Sequence, residues 1–357
     1  MSRRDFRDRD FIEASPGLFC VIGSSHPRDR VISYLKYVCT HHPQTWRRED
    51  TYFERIMRVY SASMYLDVLS YLKERYPHYV VYDEYLNLEL IEVPRDEIIK
   101  HYKPEERARE ILEHPEDMLE KETKMLLEDV LSRADISLDD DDVGVTGSIL
   151  LKIHNIEKSD IDLIFYGKET VRIVQETVEK LQRSNVLSRP SWLLEETINN
   201  ASQAHPHLDR NVIAKLIYRK IHRFVYRGKR PISILFALKE NEVREPYGRF
   251  RYRTLVPVLA KAKVVSVEYS YFTPAIYDVE IIRMLEPDNL DIKPKDIRNV
   301  SSFEGLYAGI ARENEIVVVK GMLEEVMDVK TGESWYRIVV GSAKLRGKDY
   351  VIPESLL

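Results

Sequence analysis

The stretch from Gly144 to Gly167, GVTGSILLKIHNIEKSDIDLIFYG, holds the residue types and spacing best suited to chemistry on a phosphate. Gly147-Ser148 follows a short strand-like run, and after eleven intervening residues Asp160-Ile161-Asp162 opens a second strand. Side chains repeat every two residues along a strand, so Asp160 and Asp162 share a face. Two carboxylates placed side by side repel one another. A hard divalent cation between them, Mg2+ or Mn2+, makes the arrangement favourable, and magnesium carrying a nucleotide takes one or two carboxylates plus phosphate oxygens. Gly147 lets backbone approach a phosphate, Ser148 offers a hydroxyl, and free amides at a helix start favour an anion. The plainer alternative for both aspartates is a solvent-exposed strand opening without a ligand.

These residues resemble the active-site signature of the DNA polymerase β-like nucleotidyltransferase superfamily, in which a Gly-Ser turn, a spacer of about ten residues and an Asp-x-Asp strand recur. The wording SDIDLIFYG is similar to the small prokaryotic members, and the whole chain resembles an archaeal group of predicted nucleotidyltransferases. The resemblance implies that Gly147 and Ser148 hold a nucleoside triphosphate. It also implies that Asp160 and Asp162 bind the magnesium ions that support in-line attack on the α-phosphorus by a hydroxyl of RNA, DNA, protein or a small molecule. Two departures matter. Where relatives carry Arg-Gly shortly after Gly-Ser, this chain has Leu151-Lys152, which leaves the basic contact to Lys152 or Lys158. Active relatives also present a third carboxylate on a neighbouring strand, and the first strand available, PISILFAL, has none; Glu268 in KVVSVEYS is the next acid within a convincing strand. Without a third ligand the second metal is held poorly. The rival reading is therefore a catalytically inactive domain of this fold that binds nucleotide or nucleic acid.

The elements that must position these residues are α+β overall. Residues 1–103 alternate β-rich runs (GLFCVIG, VISYLKYV) with a helix carrying Phe53, Ile56, Met57, Tyr60 and Met64 at helical spacing. Residues 104–240 form the nucleotidyltransferase-like domain. It begins with helices broken at His114-Pro115 and includes a helix across 209–227 whose Lys215, Arg219, Arg223 and Arg227 recur every four residues. That row is either a solvated face or a ridge contacting phosphates, reinforced by the alternating GRFRYR of 248–253. Residues 241–357 read as a β-rich, barrel-like domain. A gapless echo of residues 17–38 at 305–326 fits either duplicated β-modules or coincident strand patterning.

Composition bounds the partners. At 44% hydrophobic and 32% charged, with two Cys, the chain describes a globular protein without a disulfide framework. A charged start, MSRRDFRDRDFIE, and the lack of any run near the ~20 apolar residues that span a bilayer predict a cytoplasmic protein with no membrane contact. Abundant Glu, Lys and Arg fit a thermophile's surface. Net charge is only −5, yet residues 105–142 hold fifteen acids against five bases and residues 210–263 hold fifteen bases against three acids. A polarity of this kind can steer an anion toward one face. The acid run Asp139 to Asp142 reads as a solvated linker. His41-His42 and His205-Pro206-His207 lack partners at zinc spacing and read as loop histidines.

Overall fold

The computed structural model describes residues 4–57, 62–138, 141–287, 291–345 and 347–357; for 62–63 only the backbone enters the description. It is mixed α+β, with seven α-helices and three sheets among the described residues. The first sheet comprises β1 (Phe11–Ala14), β2 (Gly17–Val21), β3 (Arg30–Thr40), β4 (Trp46–Arg48), β5 (Thr51–Arg55), β6 (Val80–Asp83), β7 (Leu88–Pro94) and β8 (Lys100–Tyr102). Its main path runs β4-β5-β3-β2-β1-β8, with β7 joining β3 and β6 joining β7. Helix α1 (Ala62–Arg75) packs Val68, Leu69 and Leu72 against it. The helix anticipated from Phe53 is instead the strand β5, which pairs with both β3 and β4, and helix begins only at Ala62. Apolar residues at positions 53, 56 and 57 satisfy strand and helix spacing over so short a run, and pairing decides between them. Tyr60 lies outside the described residues.

The central layer begins with α2 (Pro104–Glu113) and α3 (Met118–Leu131). There follow β9 (Val143–Thr146), α4 (Gly147–Leu150), β10 (Ile161–Tyr166), α5 (Lys168–Arg183), β11 (Leu187–Ser188), α6 (Ser191–Ala204), α7 (Arg210–Arg219), β12 (Arg223–Tyr226) and β13 (Arg230–Ala237). Strand order is β11-β12-β13-β10-β9; β10 and β13 run parallel and the other neighbours antiparallel. Alternation along β10 sends Ile161, Leu163 and Phe165 into a core shared with α2, α3 and α5. Asp162, Ile164 and Tyr166 face the other way, toward the N-terminal sheet. Arg7 lies 5.1 Å from the centre of the Tyr166 ring, and Thr146 Oγ1 donates to Arg9 O (2.8 Å).

The last sheet holds β14 (Phe250–Tyr269), β15 (Ala275–Glu286), β16 (Ile297–Ser302), β17 (Ile316–Asp328), β18 (Ser334–Val340) and β19 (Tyr350–Pro353). Pairing proceeds β14-β15-β16-β18-β17-β19, and β17 also returns to β14, which curls the sheet into a barrel-like wall. Residues 305–307 form a single 3-10 turn, so the echo of the β2–β3 hairpin is not a structural repeat.

Cores cross the three expected segments. Leu150, Leu151 and Ile153, from α4 and the turn after it, sit in the N-terminal core, while Ile198, Ile213, Leu216 and Ile217 of α6 and α7 sit in the barrel core. At roughly 2 kcal/mol for each large aliphatic side chain buried, these crossings fix the Gly-Ser turn to the N-terminal sheet and both helices to the barrel. Cys20 is buried and Cys39 exposed, and both are free thiols. No helix among the described residues is long and apolar enough to cross a membrane.

Candidate functional site

Gly147 stands at the junction of β9 and α4 with φ +70°, where a Cβ would strike Asp162 Oδ2. Only glycine adopts this backbone without strain while leaving room for the carboxylate. Ser148 is buried, its Oγ 3.3 Å from Ser159 Oγ, and Ser159 Oγ in turn accepts from Asn155 N–H (2.9 Å). The Gly-Ser turn and the Asp-x-Asp strand are thus joined through the 155–159 turn.

Asp160 precedes β10 and receives Arg223 Nη1 at 2.8 Å, while Arg223 Nη2 lies 3.5 Å from Glu196. Asp162 is half-buried and stands opposite Thr146 on β9 and Ser233 on β13. Burial first, and then the neighbouring Asp160 charge, push its carboxyl up to about 6; Lys36, the Ser233 hydroxyl and Arg223 act in the opposite direction. Lys36 is a buried lysine of β3, 5.2 Å from the centre of the Phe11 ring. The two aspartates therefore share one face, and protein cations from β12 and β3 attend them.

The other anticipated residues are placed elsewhere. Glu268 is bound to Lys168 Nζ (2.8 Å), just beyond the far end of β10, and does not join the aspartates. The parallel neighbour β13 presents Ser233, a hydroxyl, opposite Asp162. Lys152 closes α4 with φ +53° and turns to Glu110 (2.6 Å) and Glu116 (3.0 Å), away from the Gly-Ser turn. Lys158 is exposed, two residues before Asp160.

The row Lys215, Arg219, Arg223 and Arg227 is not a ridge. Helix α7 stops at Arg219, and the following Arg-Phe-Val-Tyr, rich in β-formers, becomes β12, paired on both edges. Lys215 donates to Leu356 O, Arg219 binds Glu315 in a bidentate pair (2.7 and 2.9 Å), and Arg227 binds Asp129 (2.9 Å). In GRFRYR, Arg249 meets Asp328, Arg253 meets Glu325 and Arg251 covers the Tyr85 ring. Acids of the 105–142 window answer bases of the 210–263 window directly: Asp129 with Arg227, Glu122 with Arg230, Asp142 with Lys239. Asp141 also pairs, with Arg109, so the described part of the acid run is engaged rather than solvated; Asp139 and Asp140 lie outside the described residues. His205 is likewise buried, against Tyr307 and Glu304, and burial lowers it to about 4.

Among the described residues one cluster has metal-ligand types: Asp117, Glu120 and His154. Each of its carboxylate oxygens already accepts one hydrogen bond. Asp117 caps α3 by accepting Glu120 N–H and meets His154 Nε2 (2.7 Å), while Glu120 receives Arg107 and Glu116 N–H. These bonds join α3 to the turn after α4, while His154 Nδ1 is buried without a partner among the described residues.

Residues missed in the sequence include Lys36, Ser233 and Arg223 in its actual role. Lys36 carries a signal, a lone cation inside the apolar run VISYLKYV. The roles of Ser233 and Arg223 depend on strand register, which the sequence does not display.

No family model matches the chain, and no solved structure matches it. It is similar to an uncharacterized protein, MJ1086, of Methanocaldococcus jannaschii, at 28% identity over 353 residues, covering 97% of this chain and 98% of that protein.

Proposed function

We propose that this chain is a nucleotide-binding protein on a polymerase β-like nucleotidyltransferase core, and that it holds a nucleoside triphosphate without transferring its nucleotidyl group. Support for the core comes from the order β9-β10-β13, the glycine turn leading into α4, and the aspartate pair on the strand between antiparallel and parallel neighbours. The observation that carries the loss of transfer is the pairing of Arg223 with Asp160, with Ser233 opposite Asp162. Two-metal transfer needs carboxylates on both sides of the ions. Here the neighbouring strand supplies a hydroxyl, and a permanently charged guanidinium already neutralises one aspartate. The donor set does not fit two resident Mg2+ or Mn2+ ions.

Arg223 is suited to a triphosphate, because its planar fork matches phosphate oxygens as well as carboxylates. A single magnesium ion arriving with the nucleotide needs at most the two aspartates. Calorimetry with ATP, with and without magnesium, tests the reading on the native chain and on Asp160→Ala plus Asp162→Ala. Binding by the native chain that the double variant alters, with no pyrophosphate released in the presence of an RNA or DNA end, is the expected result. Equal titrations for both proteins remove the site. Pyrophosphate release lost in the double variant restores the enzyme reading.

A further inference from the structure

A second cluster of cations lies outside both charged windows or at their margin and converges on one groove. Arg47 and Lys158 have no side-chain partner among the described residues, and both line one groove of about 550 Å³. The groove lies between the β4–β5 hairpin and the Asn155–Lys158 turn, outside the aspartate pair, and is open to solvent. Its other lining groups are Pro43, Gln44, Thr45, Tyr52 and Asn155, with no carboxylate among them. Arg47 and Tyr52 are directly opposed on the hairpin, so the guanidinium and the ring project from one face.

The hairpin wall of the groove is joined to the segment after α4. Arg47 N–H donates to Ile153 O (3.2 Å), Ile153 N–H donates to Ser148 O (3.1 Å), and Ile153 itself is buried in the N-terminal core.

We infer that this groove binds a single-stranded nucleic acid, with Arg47 and Lys158 on successive backbone phosphates and a base against Tyr52. Two cations without a counter-ion select a polyanion. The aromatic ring beside them selects one that carries flat bases, and stacking of this kind tolerates any sequence. A solvent-open groove suits a strand that enters and leaves, whereas small-molecule sites enclose most of their ligand. The inference does not depend on nucleotide binding at the aspartates.

Fluorescence anisotropy with labelled oligo-dT and oligo-U of about twelve nucleotides, titrated over a range of salt, tests it on the full chain. The native chain should bind with a salt dependence that Arg47→Ala plus Lys158→Ala reduces by ~1.4 in log–log slope, at ~0.7 for each phosphate contact. Tyr52→Ala should weaken binding about tenfold and leave the slope unchanged. Arg47 and Lys158 are exposed, so the double variant should keep the native thermal midpoint. No binding by the native chain, or affinity and slope unchanged in the double variant, overturns the inference. If the double variant loses ATP binding while oligonucleotide binding persists, the groove belongs to the nucleotide, and the inference falls while the proposed function stands.

Discussion

Replacing Asp162 by asparagine isolates the electrostatics of the site. The carboxyl rises from 3.8 to about 6 on folding, chiefly through burial and then through Asp160. A carboxyl raised in the folded state takes up a proton on folding. Below about pH 4 it is protonated in both states and contributes no difference. Between about pH 4 and pH 6 the folded chain binds more protons than the unfolded one, so stability falls as pH rises, and above pH 6 the full penalty persists. Converted at ~1.36 kcal/mol per pH unit, the penalty is about 3 kcal/mol for a fully desolvated group. Asp162 keeps some solvent contact, which screens the charge and brings the expected figure nearer 1–2 kcal/mol. Asp162→Asn should therefore be more stable than the native chain near neutral pH by that amount and indistinguishable from it near pH 4. Urea unfolding across this pH range measures the difference, and hydrogen exchange of the β10 amides localises it. A difference that stays flat with pH refutes the argument. Magnesium added at neutral pH distinguishes the two views of the site: a resident ion stabilises the native chain and not Asp162→Asn, whereas cations supplied by Arg223 and Lys36 leave both unchanged.

Gly147→Ala forces a Cβ onto Asp162 Oδ2 at φ +70°, and should cost about 1–3 kcal/mol in urea unfolding. An unchanged midpoint would show that the turn relaxes. Arg223→Gln removes the partner of Asp160, and should lower stability by about 0.5–1 kcal/mol at neutral pH while strengthening magnesium binding in calorimetry. Lys220 is buried, with Nζ donating to Gly305 O, Leu306 O and Ala308 O. Lys220→Met leaves those carbonyls unpaired and should lower the unfolding free energy by about 3 kcal/mol, read by the loss of exchange protection around residues 305–308.

Local patterning determined much of this protein. The Gly147 turn, the strand opened by Asp160 and Asp162, the helices on either side of His114-Pro115 and the β-rich final third all follow from period, glycine placement and the length of apolar runs. These depend on interactions within a few residues. Which strands are neighbours depends on pairings between residues far apart in the chain, and the decisive features of the site belong to that class. Ser233 stands opposite Asp162 because β13 lies parallel to β10, and Arg223 reaches Asp160 because a segment with four-residue charge spacing pairs as β12 instead of continuing α7. Glu268 fails for the same reason, since its strand reaches the opposite end of β10. Charge shows the division most plainly. The acidic and basic windows are legible in composition, but their direct pairing through Asp129, Glu122 and Asp142 is a matter of proximity in space. Coulomb attraction at a few ångströms satisfies most of the basic window internally, and only the folded chain brings Arg47 and Lys158, far apart in sequence, to one groove.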